Sequence, residues 1–184
     1  MQPTNHISPT QPTNHMSSRP INDAVAEFDM APAFNDDGAP GWVAPGIDGD
    51  EVRVSLPRDS DTADEAIIDL KGRSGRVPVP ALAGMALGMA RVLARTAPDA
   101  LAGIFADHPR FAELIGAPGN LSPSRVMTVT TDAVPTYVGD VDDCGESVHI
   151  YAEGMPDAIR VFNAEAPALI EVFMSAARVG YNAM

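Results

Sequence analysis

Asp140, Asp142, Asp143 and Glu146 crowd four carboxylates into Gly139-Asp-Val-Asp-Asp-Cys-Gly-Glu146. Oxygen ligands at such spacing suit a hard cation such as calcium, and Gly145 permits a tight turn among them. An EF-hand loop opening at Asp140 would also need an oxygen ligand at 144 and a glutamate at 151, where the chain has Cys144 and Tyr151. The four acids are the best candidate cation ligands in the chain, yet the segment reads first as the solvated loop of a hairpin. No cofactor is expected.

Cys144 is also a potential nucleophile, with His149 five residues on and His108 elsewhere to supply an imidazole. The surrounding carboxylates would raise the thiol pKa and suppress the thiolate that such chemistry needs. An enzyme using Cys144 and His149 is thus an alternative that the local charge opposes. One cysteine also excludes an intramolecular disulfide, which fits a reducing compartment or a particle assembled in one.

A third candidate is Lys71-Gly-Arg-Ser-Gly-Arg76, where two glycines and three cations could cradle an anion. It lacks the spacing and the Lys-Ser/Thr ending of a phosphate loop, so it reads as a basic turn. From Lys71 to Arg95 there are five bases and no acid, in a chain whose formal charge is −13. So acidic a protein is repelled by phosphate backbones and anionic membranes, which argues against direct nucleic-acid or membrane binding. Arg73, Arg76, Arg91 and Arg95 remain candidates for docking an acidic partner, or for neutralising the protein's own surface.

The element that must organise these residues is Val77 to Arg95, the most apolar run in the chain. Pro80 suits a helix first turn, and Leu82, Met85, Met89, Val92 and Leu93 recur at helical spacing. Gly84 and Gly88, four apart, bare a groove in which another backbone can approach closely. The fourteen apolar residues before Arg91 fall short of the roughly 20 that cross a bilayer. Strands are expected at Glu51 to Leu56, Ala66 to Leu70, Val126 to Thr130, Val134 to Val138 and Ser147 to Tyr151. Helices are expected at Pro98 to Ala106, Pro109 to Ile115, from Met155 to Phe162, and from Ala164 to Val179, the last ended by Gly180.

Residues 1 to 50 are rich in Pro, Asn, Asp, Ser and Thr, and QPTNH recurs at Gln2 to His6 and Gln11 to His15. Such a stretch has little to bury and reads as a flexible or extended arm, without the basic and apolar regions of a secretory signal. His6 and His15 are too few to make a metal site. Phe28, Phe34 and Trp42 are the arm's candidate anchors on a neighbouring protein, since aromatics dominate interface energetics. The competing reading is that Trp42 covers the edge of its own core.

Phe162-Asn-Ala-Glu-Ala-Pro-Ala-Leu-Ile-Glu-Val-Phe173, preceded by Asp157-Ala158, resembles a segment near the C-terminus of many small phage-encoded proteins of unknown role. There a short hairpin leads into an Ala-rich helix with an Ala-Pro-x-Leu-Leu core. The likeness covers under a tenth of the chain, departs at Asn163, and brings no catalytic residue. It implies a phage or bacterial setting.

The sequence therefore predicts an α+β protein: a flexible arm over 1–50, then one domain over 51–184 in which a small antiparallel sheet packs with three to four helices. The expected function is a non-catalytic structural or interaction component of a phage or bacterial assembly, cytoplasmic or built into a virion. Its partner is a protein, as a homo- or hetero-oligomer reached through the arm. The alternative of a different class is a soluble acidic inhibitor of a host protein, with nucleic-acid mimicry as one form of it.

Overall fold

The structure is a computed structural model that describes residues 14–15, 18–45, 51–58, 64–116, 126–140 and 146–184. Two five-stranded sheets enclose a pair of long helices. Sheet A holds β1 (Asn14–His15), β7 (Val126–Thr131), β8 (Val134–Asp140), β9 (Ser147–Ala152) and β10 (Ile159–Phe162), in that order. Sheet B holds β2 (Ala33–Phe34), β3 (Pro40–Pro45), β4 (Glu51–Ser55), β5 (Glu65–Leu70) and β6 (Arg73–Pro78). Pairing is antiparallel except between β1 and β7. The α+β class holds, with two sheets where one was expected.

Helix α2 (Val79–Thr96) packs on β7, β8 and β9 and on α5 (Ala166–Ala183), while α5 packs in turn on β3 and β4. Lying between two sheets, α2 needs no polar face, and every residue from Val79 to Ala90 is buried. The Gly84 and Gly88 groove takes strands, not another helix. A Cβ on Gly84 would stand 2.7 Å from Thr136 Oγ1, and one on Gly88 would stand 2.3 Å from Val138 Cγ2. Among the described residues no helix is long and apolar enough to cross a membrane.

Four expectations need correction. Lys71 to Arg76 is not all turn: Lys71 and Gly72 have φ of 54° and 74°, a two-residue hairpin turn, and Arg73 already belongs to β6. Ile159 to Phe162 is a strand, not a helix, because Ile159 and Val161 find buried positions by pairing with β9. Helix α5 continues through Gly180, whose missing side chain makes room for Val79. The fourth is the arm. Residues 18–45 are built into the fold as α1 (Ser18–Val25), β2 and β3, and α1 packs on α5 and on α4 (Pro109–Ile115), the helix after α3 (Ala102–Asp107).

The turn joining β7 and β8 also has two positive φ values, 47° at Asp132 and 66° at Ala133. Alanine is strained there, whereas Asp-Gly is a favoured pair for such a turn. Ala133→Gly is expected to stabilise the protein by about 1 kcal/mol, net of glycine's greater unfolded-state freedom. Thermal unfolding followed by circular dichroism would show a midpoint higher by about 3 °C. A lower midpoint would contradict this account of the turn.

Candidate functional site

Alternation along the strands of sheet A sorts its residues onto two faces. Val129, Thr136, Val138, Val148, Ile150 and Ala152 are buried on the side that meets α2. Tyr137, His149, Tyr151, Arg160 and Phe162 fall on the other. Register sets Tyr137 directly opposite Tyr151 and His149 opposite Arg160. The tyrosine rings lie 6.4 Å apart at 29°, and the residues remain 40% and 38% exposed. Arg160 is folded down onto this face, its guanidinium 5.0 Å from the Phe162 ring and its Nε donating to Ser147 Oγ at 3.1 Å. The result is an open, aromatic-bearing sheet surface.

The candidate cation loop is mostly out of view: Asp142, Asp143 and Cys144 lie outside the described residues, as does His6. Asp140 ends β8, and Glu146 is exposed just before β9. Among the described residues no group of three or more His, Cys, Asp or Glu side chains is placed to hold a metal ion. The two histidines weighed for Cys144 chemistry do not meet. His149 stands on the outward face of sheet A, whereas His108 is packed against Phe28 and α5.

Two of the three proposed arm anchors are corrected by their burial. Phe28 is fully buried, stacked on His108 at 3.8 Å and edge-on to Phe111 at 5.2 Å. Trp42 is 2% exposed and donates from Nε1 to the Met30 carbonyl at 2.9 Å. Both belong to this chain's own core, because an apolar ring next to a sheet of its own chain buries there first. Phe34 is 69% exposed on the short edge strand β2 and stays available to a partner.

The four arginines sit on two elements. Arg73 and Arg76 lie on β6, while Arg91 and Arg95 lie in the second half of α2. Arg76 pairs with Glu65 at 3.1 Å, and Arg73 donates to the Pro156 carbonyl at 3.0 Å with Asp157 at 3.7 Å. Arg91 is half-buried, and desolvation pulls its pKa below the ordinary arginine value. The basic turn has an internal anion: Asp69 accepts from Gly72 N–H at 3.2 Å and from the Ser74 hydroxyl at 2.9 Å. Self-neutralisation accounts for much of this segment.

Sequence reading missed a buried constellation around His108. Its Nε2 lies 2.7 Å from Glu171 Oε1, while the Glu27 carboxylate accepts the N–H groups of Arg110 and Phe111 at 3.0 Å each, capping α4 from the turn after α1. The only sequence signal was His108-Pro109, which marks a helix boundary. An imidazole backed by a carboxylate is the arrangement of a general base. Here Phe28 covers the ring, and Nδ1 is buried with no hydrogen-bond partner among the described residues, so a substrate has no path to it. The constellation ties α1, α4 and α5 together.

Tyr181 is a second such tie: its hydroxyl donates to Asp132 Oδ2 at 3.2 Å. Partial burial, and then the Asp132 charge, hold that hydroxyl protonated well above the usual tyrosine range.

Comparison of the chain with protein-family models, with curated proteins and with solved structures returns no match.

Proposed function

We propose that this protein is a non-catalytic interaction component of a phage or bacterial assembly, and that it docks through the open face of sheet A. The observation that carries this reading is the exposed Tyr137–Tyr151 pair. Only ten residues in the chain are Phe, Trp or Tyr, and two of its three tyrosines stand on this one face. Tyrosine gives a partner a large, stiff contact area with a polar tip, and it is enriched where interfaces concentrate their energy. The phage or bacterial setting, in the cytoplasm or within a particle, rests on the resemblance at Phe162 to Phe173.

The direct test is sedimentation of lysate from cells that make the protein. The wild-type chain is expected with a fast-sedimenting particle, and the Tyr137→Ala/Tyr151→Ala chain in the supernatant, with both equally folded by circular dichroism. A wild-type chain found only as a free monomer would sink the reading.

A further inference from the structure

We infer that the partner surface seated on the open face of sheet A is a lysine- and arginine-rich protein segment. This rests on the reading of that face as the docking surface and adds the chemistry of what it takes. Of the acids between Val126 and Phe162, Asp132 is bonded to Tyr181 and Asp157 lies 3.7 Å from Arg73, so the acids beside this face among the described residues are Glu146 and Glu153, against the single arginine Arg160. Glu146 and Glu153 are exposed immediately before and after β9, the strand that carries His149 and Tyr151. Along a strand of about 3.3 Å per residue, Glu153 is roughly 7 Å from Tyr151.

The one arginine on the face does not reverse this balance, since its guanidinium lies over Phe162 and its Nε is bonded to Ser147. What the face offers outward is two phenol rings with carboxylates at the strand ends. The negative π-face of a tyrosine attracts an ammonium or guanidinium, and a carboxylate beside it completes the pairing. A formal charge of −13 steers such a cationic segment in while turning nucleic acid and acidic proteins away. Aromatic centre and acidic rim thus select the same partner.

The full chain titrated with a fluorescent octapeptide of alternating lysine and arginine tests the inference, with an octaglutamate peptide and oligothymidylate as the other probes. Binding of the basic peptide alone is expected, weakening as salt is added. Tyr137→Ala/Tyr151→Ala should weaken it at least tenfold, and Tyr137→Phe/Tyr151→Phe should keep most of it, because the ring and not the hydroxyl holds the cation. Glu146→Gln/Glu153→Gln, both at exposed positions, should weaken it several-fold at low salt. Equal binding by the alanine variant would overturn the inference, since net charge alone would then be responsible. So would tighter binding of oligothymidylate, or no binding of the basic peptide. If the protein sediments with a particle through the tyrosines and yet ignores the basic peptide, only the partner's chemistry is overturned. If neither happens, the interaction reading fails with it.

Discussion

Gly154→Ala should be the most damaging single methyl group added at any of the described glycines. Gly154 lies in the turn between β9 and β10 at φ 96°, and a Cβ there would stand 1.8 Å from the Arg76 carbonyl oxygen on β6. The opposing side is no more forgiving, because a Cβ on Gly75 would stand 2.1 Å from the Gly154 carbonyl oxygen. Two backbones therefore touch at this seam. It is where the edge of sheet B meets a turn of sheet A, and the Arg73 guanidinium bonded to the Pro156 carbonyl fastens it. Covering β6 in this way also removes an open strand edge.

Left-handed strain costs roughly 1–2 kcal/mol and overpacking against backbone roughly 1–3 kcal/mol. Together they predict a loss of about 4 kcal/mol, or a fall in the thermal midpoint of about 10 °C for a chain of this size. Gly72→Ala supplies the control. Gly72 has a similar φ of 74° but nothing within 4 Å of the added Cβ, so only the strain should register. Urea unfolding of both variants decides the matter. Equal losses would mean that the seam contributes nothing beyond turn geometry.

The seam was not legible in the sequence, and the reason is physical. Gly75 and Gly154 are far apart along the chain, and each reads locally as a turn residue. Their shared role exists only once β6 and the β9–β10 turn are brought together. Where neighbours along the chain set the outcome, the reading succeeded: Val52 and Val54 alternate into the core, and Pro80 stands in the first turn of a helix whose Leu82, Met85, Met89, Val92 and Leu93 are all buried. Ile159 to Phe162 misled because four residues are too few to fix a period, and pairing with β9 decided it.

The candidate site divides in the same way. Alternation put His149 and Tyr151 on one face of a strand, but only the β8–β9 register shows that Tyr137 stands beside Tyr151. Phe28 was misread, and of the two readings of Trp42 the one that kept it on its own core holds, because the composition of residues 1–50 is polar on average, and averages hide the few residues that anchor a segment. Ile21, Ala24, Val25 and Phe28 are all buried, spaced for one face of a helical turn.

That correction carries the second large effect. A chain starting at Glu51 should fail to fold, although 51–184 was expected to be a domain by itself. The cut removes β3, which pairs with β4 from Gly41 to Pro45, and it takes away Trp42 and Phe28. Losing the Phe28 ring alone is worth about 3–5 kcal/mol, and Trp42 is comparable. Either is a large fraction of the roughly 5–15 kcal/mol that holds a domain together. The loss would also uncover one face of His108, which now lies under Phe28, and would remove the Glu27 carboxylate from the N–H groups of Arg110 and Phe111. A chain starting at Ser18 retains all of these contacts and, among the described residues, gives up the two-residue strand β1. It should show a cooperative urea transition close to that of the full chain, whereas the Glu51 chain should show none and should lack near-ultraviolet circular dichroism. Phe28→Ala in the full chain gives the intermediate case, with its midpoint lowered and cooperativity kept. Cooperative unfolding of the Glu51 chain at the wild-type midpoint would return residues 18–45 to the status of an arm. Its absence would place them in the core, leaving the outward face of sheet A and the exposed Phe34 as surfaces for a partner.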